Sequence, residues 1–251
     1  MADDGKVRTL AKPGEQLTPG SIWLAAAVHA FTASGVLCAL FATLAMTQGA
    51  YPTAFAWLGV ALVIDGIDGT FARMVHVSRR LPRFSGERLD NVVDYVTYVF
   101  VPTLALLHAR ILDGAFGVAL AGCILMSSLF HFSDNASKTE DHCFVGFPAI
   151  WNIVAFYLFA FQLPVWASAL VVLVCSGLTF VPMRWLHPMR VERHIGLNIA
   201  GCVLWLTAAA STFWTGFPAA FWAQAILLAV GAYSIALTVI WPWADTSKGK
   251  A

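Results

Sequence analysis

The sequence predicts an all-α integral membrane protein with about eight transmembrane helices. Three observations lead there. The 251 residues are 59% hydrophobic and only 12% charged, where a soluble domain carries about 45–50% and about 25%. Mean hydropathy is +0.73, and eighteen Phe with ten Trp are more than one aqueous core of this length encloses. The apolar residues fall in runs close to the ~20 residues a helix needs to cross the hydrocarbon layer. These figures exclude a soluble domain, a disordered chain and a nucleic-acid binder. A net charge of +1 leaves no overall field to collect polyanions.

Residues 1–21 read as a polar N-terminal arm rather than a signal peptide. The arm carries Asp3, Asp4, Lys6, Arg8, Lys12 and Glu15 among the turn formers Gly5, Pro13, Gly14, Pro19 and Gly20. Residues 22–242 read as one transmembrane domain and 243–251 as a C-terminal tail. The expected spans are 23–46, 53–76, 91–109, 114–132, 145–163, 165–183, 196–214 and 219–241. The fifth contains Pro148 and Asn152 and is the least regular. Connections near 110–113, 163–165 and 214–218 are short, as in helical hairpins. No internal repeat is present. The five cysteines include no CxxC pair, so zinc or redox chemistry has no sequence support.

Charge placement orients the chain. With the N-terminus in the cytoplasm, every one of the fifteen Lys and Arg residues except Arg110 falls on the cytoplasmic side. That is a strong positive-inside bias. It supports an even number of spans, with both termini on the cytoplasmic side of a bacterial inner membrane.

The acidic residues are equally uneven. Of fourteen Asp and Glu, four cluster at the ends of the second and third spans. Asp65 and Asp68 are three apart, and Asp90 and Asp94 four apart, so each pair shares a helix face. The intervening loop makes the two helices antiparallel neighbours and brings all four carboxylates toward one interface. Four like charges there repel, and each is costly near lipid. Divalent cations with oxygen ligands, Mg²⁺ or Mn²⁺, resolve both problems. Two of them about 4 Å apart clamp attacking and leaving oxygens in phosphoryl chemistry. No His or Cys sits at a matching offset. Gly69 and Ala72 are small residues beside the acids, Arg73 suits phosphate oxygens, and Gly86 stands at the entry to the third span.

The pattern Asp65-x-x-Asp68-Gly69-x-x-Ala72-Arg73, then Gly86-x-x-x-Asp90-x-x-x-Asp94, resembles the signature of the CDP-alcohol phosphotransferase family. Every fixed position is present. The spacer between Arg73 and Gly86 is twelve residues, 74–85, longer than the family's usual one. That departure resembles the bacterial phosphatidylcholine synthase branch. So do the stretches His29-Ala30-Phe31-Thr32-Ala33-Ser34-Gly35 and Ser137 to Pro148 preceding Trp151-Asn152. The likeness covers nearly all of the chain beyond the arm.

The resemblance implies transfer of a phosphatidyl group from CDP-diacylglycerol to an alcohol, with release of CMP. In this branch the alcohol is choline. It further implies two divalent cations held by Asp65, Asp68, Asp90 and Asp94, with Asp94 also acting as base. Gly69, Ala72, Arg73 and Gly86 would line the nucleotide site, and the protein would be a homodimer. A quaternary ammonium is received by aromatic faces. Candidates for the choline site are Phe132, Asp134, Glu140, Asp141, Phe144, Phe147, Trp151 and Asn152. Tyr95 follows Asp94 but points about 100° away around the helix. The rival readings are a phosphatidylserine synthase, or another CDP-diacylglycerol-dependent alcohol phosphotransferase, and a membrane transporter. A transporter places its polar groups near midmembrane in interrupted helices, whereas these acids gather at one interface.

Overall fold

A computed structural model describes residues 19–134, 144–185 and 195–245, and within them all side chains but those of residues 19, 144, 184 and 239–245. These residues form a helical bundle. Helices α1 (Pro19–Ala33) and α2 (Gly35–Thr47) make one nearly continuous rod. It is interrupted only at Ser34, whose hydroxyl donates to the Phe31 carbonyl at 2.6 Å. A short link leads to α3 (Tyr51–Val75), which begins on Pro52 in its first turn and ends at left-handed His76 (φ 52°). The chain then makes α4 (Val77–Arg80) and turns back into α5 (Gly86–Asp94), capped by Ser85, whose Oγ accepts from the Arg88 N–H at 3.2 Å.

Helix α5 runs on without a break through a π-helical segment (Tyr95–Phe100) into α6 (Val101–His108). Pro102 explains the change of pitch: it has no N–H to give the Tyr98 carbonyl, and its ring crowds that oxygen. Helix α7 (Gly114–Ser133) follows, then α8 (Trp151–Phe161), α9 (Val165–Leu178), α10 (Ile195–Thr215) and α11 (Phe221–Asp245). Strands β1 (Phe144–Val145) and β2 (Arg184–Trp185) pair antiparallel, Phe144 opposite Trp185.

Among the described residues, five helical stretches are long and apolar enough to cross a membrane: Gly20–Thr47, Tyr51–Val75, Gly114–Ser133, Ile195–Thr215 and Phe221–Thr238. The other three expected spans are helical but differ from the sequence reading. Residues 91–109 belong to the helix that changes pitch. Of 145–163 only 151–161 is helical, because Pro148 and left-handed Ala149 (φ 54°) keep the chain out of the helical conformation before α8. Of 165–183 only 165–178 is helical.

The bundle's surface is that of a membrane protein. Trp214 is 93% exposed, Phe221 87% and Trp23 75%, a degree of apolar exposure that water does not tolerate over a whole surface. The interior instead uses small residues: Ala39, Ala42 and Ala45 of α2 and Ala54 and Ala61 of α3 are all buried. Small faces let helix backbones approach where lipid supplies no hydrophobic drive between helices. A smaller cluster of Ala25, Val28 and Val77 seats α4 on α1.

Candidate active site

Helix α3 carries Asp65 and Asp68 three residues apart near its C-terminal end, and α5 carries Asp90 and Asp94 back past them. The twelve-residue spacer makes this reversal. It holds the last two residues of α3, His76, α4 and the turn 81–85. Val77 of α4 docks on α1, so α1 forms a third wall.

The result is a cleft lined by Thr32, Ala61, Ile64, Asp65, Asp68, Asp90, Val93, Asp94 and Thr97. Asp65, Asp68 and Asp90 each present a carboxylate oxygen within 4.8 Å of the others'. Asp94 lines the same cleft but lies outside that set of three. Asp68 is only 6% exposed. The Thr32 hydroxyl donates to Asp68 Oδ2 at 2.7 Å, and the Tyr98 hydroxyl donates to Asp65 Oδ2 at 2.6 Å. An all-oxygen set of ionisable carboxylates fits a hard divalent cation such as Mg²⁺ or Mn²⁺. Among the described residues this set offers carboxylate oxygens and no thiolate or imidazole ligand.

The remaining signature residues cluster beside the acids. Arg73 folds back along its own helix, Nη2 donating to Thr70 Oγ1 at 3.1 Å. A Cβ on Gly69 would stand 3.4 Å from Arg73 Nη1, so the glycine leaves room for the guanidinium. Ala72 packs against the Ala25, Val28 and Val77 cluster. A Cβ on Gly86 would stand 3.3 Å from His29 Cε1. Both small residues therefore let α3 and α5 lie close to α1.

Among the described residues, none of the expected choline residues lines the carboxylate cleft. Phe147 (3% exposed) and Trp151 (0%) are core residues, edge to face at 5.2 Å, with Trp185 against Phe147 at 5.8 Å. The Trp151 indole N–H donates to Ser128 Oγ at 2.9 Å. Phe132 is half-buried against Tyr95 and His131, and Asp134 is exposed at the end of α7. Asn152 is buried, its Oδ1 accepting from the Ile153 N–H at 2.9 Å. Glu140 and Asp141 lie outside the described residues, as does the Phe144 side chain. Tyr95 does turn away from the cleft, its hydroxyl donating to the Leu125 carbonyl at 3.1 Å.

Sequence reasoning missed Tyr98 as a neighbour of the acids. The signal was present: Tyr98 is eight residues after Asp90 and four after Asp94, on one helical face. Thr32 sits in a noted stretch, but its pairing across two helices has no local sign.

No protein-family model matches the chain. Curated relatives do. The chain is 45% identical over 190 residues to a phosphatidylcholine synthase of Pseudomonas aeruginosa, covering 76% of this chain and 80% of the relative. It is 38% identical over 206 residues to one of Rhizobium johnstonii, covering 82% and 85%. It is 34% identical over 233 residues to one of Brucella melitensis, covering 93% and 84%. Likeness at this level over most of both chains, together with a complete signature whose acids converge on one cleft, leaves a single assignment. The chain belongs to the phosphatidylcholine synthase branch of the CDP-alcohol phosphotransferase family.

Proposed function

We propose that this protein transfers the phosphatidyl group of CDP-diacylglycerol to choline, giving phosphatidylcholine and CMP. The observation that carries this is the shared branch: the relatives that match most of the chain are phosphatidylcholine synthases. The converging carboxylates supply a fitting site.

Asp65, Asp68, Asp90 and Asp94 would hold two divalent cations, Mn²⁺ or Mg²⁺. When bound, the cations neutralise the diphosphate and stabilise the charge that develops during transfer. The protein's own part is positioning and proton transfer. Gly69, Ala72, Arg73 and Gly86 receive the cytidine diphosphate, with Arg73 at the phosphate oxygens. The choline oxygen forms a bond to the phosphatidyl phosphorus, in line with the CMP oxygen. The bond from that phosphorus to the CMP oxygen breaks and its electron pair leaves with CMP. Asp94 takes the choline hydroxyl proton as general base. Its place at the edge of the three-oxygen set suits a carboxylate not wholly committed to metal.

An interfacial site serves the substrates. CDP and choline heads come from water while the acyl chains stay in lipid. We assign the site and both termini to the cytoplasmic side of the inner membrane, supported by the basic-residue bias. We also assign eight passes, with the pitch-changing helix and the shorter α8 and α9 completing the five long spans, and a homodimer.

The test is headgroup transfer by purified protein given CDP-diacylglycerol, Mn²⁺ and either labelled choline or labelled serine. Choline-dependent release of CMP with formation of phosphatidylcholine is expected. Release with serine and not with choline defeats the assignment of the acceptor.

A further inference from the structure

We propose that Thr32 and Tyr98 are positioning residues for the metal-holding carboxylates, their hydroxyls fixing Asp68 and Asp65 so that cation affinity depends on them. This rests on the transferase reading above.

The geometry begins with the carboxylates themselves. The terminal torsion of an Asp side chain is broad, with no sharp staggered wells. Three such groups on two helices do not converge within 4.8 Å by rotamer preference alone. Each of two receives a hydroxyl proton at short range: Asp68 from Thr32 at 2.7 Å and Asp65 from Tyr98 at 2.6 Å. Both lengths are those of well-formed O–H···O hydrogen bonds. Thr32 (8% exposed), Asp68 (6%) and Tyr98 (7%) are buried and Asp65 is half-buried, so water is kept from the Thr32–Asp68 bond and has limited access to the other.

The two donors come from different elements. Thr32 reaches in from α1 and Tyr98 from the π-helical segment. Single π turns recur at functional sites because they re-aim side chains within a helix. Here the turn follows directly on Asp94, so one continuous helix supplies Asp90 to the cluster and a donor to Asp65 on the facing helix. Tyr98 thereby locks the relative placement of the two acidic helices. Thr32 does the same for α1 and α3. Removing outer partners of this kind from a metal site costs about 10–100-fold in metal affinity or activity.

The experiment compares wild type, Tyr98→Phe, Thr32→Val and Thr32→Ser, each purified in detergent. Mn²⁺ binding is read from the electron paramagnetic resonance signal of the free ion, and choline transfer is followed across a Mn²⁺ titration. Tyr98→Phe and Thr32→Val should raise the Mn²⁺ dissociation constant about 10–100-fold. Their activation midpoints should move by the same factor, with much of the rate regained at saturating Mn²⁺. Thr32→Ser keeps the hydroxyl and should stay near wild type. Folded variants that are less stable, or slower at every Mn²⁺ concentration, but bind Mn²⁺ as wild type does, overturn the proposal. Should Thr32→Val not fold, Tyr98→Phe, which removes one oxygen atom, decides. Wild-type protein that binds no Mn²⁺ is a different result, and it overturns the metal-site reading as well.

Discussion

Gly35 opens α2 at a point where a side chain has no room. A Cβ there would stand 2.7 Å from Val93 Cγ1, closer than carbon atoms pack. Val93 is β-branched on a helix, where one χ1 rotamer dominates, so its methyl does not swing aside cheaply. It is also 6% exposed, hence held on its other sides. Gly35→Ala therefore forces α2 and α5 apart, with an overpacking cost of about 1–3 kcal/mol. The consequence for activity exceeds the consequence for stability. Val93 stands between Asp90 and Asp94 and lines the same cleft, so the displacement carries both carboxylates with it. A shift of about 1 Å at reacting groups costs on the order of 100-fold in rate. The assay is a double-mutant cycle of Gly35→Ala with Val93→Ala, reading thermal unfolding in detergent and choline transfer. Trimming Val93 removes the clashing methyl, so the double variant should recover much of the activity lost by Gly35→Ala. A coupling energy of about 0.5–3 kcal/mol is the range for residues in contact. Wild-type behaviour of Gly35→Ala, or strict additivity in the cycle, refutes the reasoning.

Asp90→Asn and Asp94→Asn should each reduce choline transfer by at least ~100-fold, since a proton-transfer group alone contributes about 10²–10⁴-fold. Retained transfer in both removes them from the site. Chelation by EDTA should abolish transfer, and added Mn²⁺ or Mg²⁺ should restore it; activity that survives exhaustive chelation contradicts a metal-held diphosphate. Gly86→Ala should be milder than Gly35→Ala, because its new methyl meets the edge of the His29 ring at 3.3 Å rather than another methyl at 2.7 Å, and paired melting curves rank the two. Tyr157 donates to the Leu227 carbonyl at 2.8 Å and accepts from the Trp205 indole at 3.1 Å. Tyr157→Phe takes the acceptor from the Trp205 indole N–H and removes the second bond to the Leu227 carbonyl, and should cost about 1–3 kcal/mol of stability without moving the choline KM.

What the sequence disclosed of this site follows from how local its information is. Asp65 with Asp68, and Asp90 with Asp94, are legible because helix geometry turns a spacing into a shared face. Their convergence follows because a short reversal joins the two helices. The pairing of Thr32 with Asp68 spans 36 residues and that of Tyr98 with Asp65 spans 33, and no periodicity encodes either. The short α8 was half legible. Pro148 announced an irregular start, but the left-handed Ala149 beside it did not show. The aromatic residues were the least readable. Phe147 and Trp151 have the composition of a cation cage and the burial of a core, and only packing separates those two fates.

The burial of Asp68 ties these features together. An ionised carboxylate at 6% exposure in an apolar bundle is costly, and two more carboxylate oxygens within 4.8 Å add repulsion. Thr32 and Tyr98 hold Asp68 and Asp65 by hydrogen bonding, yet they are neutral donors and cancel no charge. Spreading the acids apart would relieve the repulsion, but Gly35, Ala72 and Gly86 are small where α1, α2, α3 and α5 meet, and they bring the helices closer. The fold thus concentrates negative charge in a partly dehydrated cleft and fixes its geometry with donors that leave the charge intact. The low-dielectric wall that raises the cost of the bare acids also strengthens their attraction for a divalent cation. On this reasoning α1 is part of the site: it closes water away from Asp68 and supplies the hydroxyl that holds its carboxylate in place.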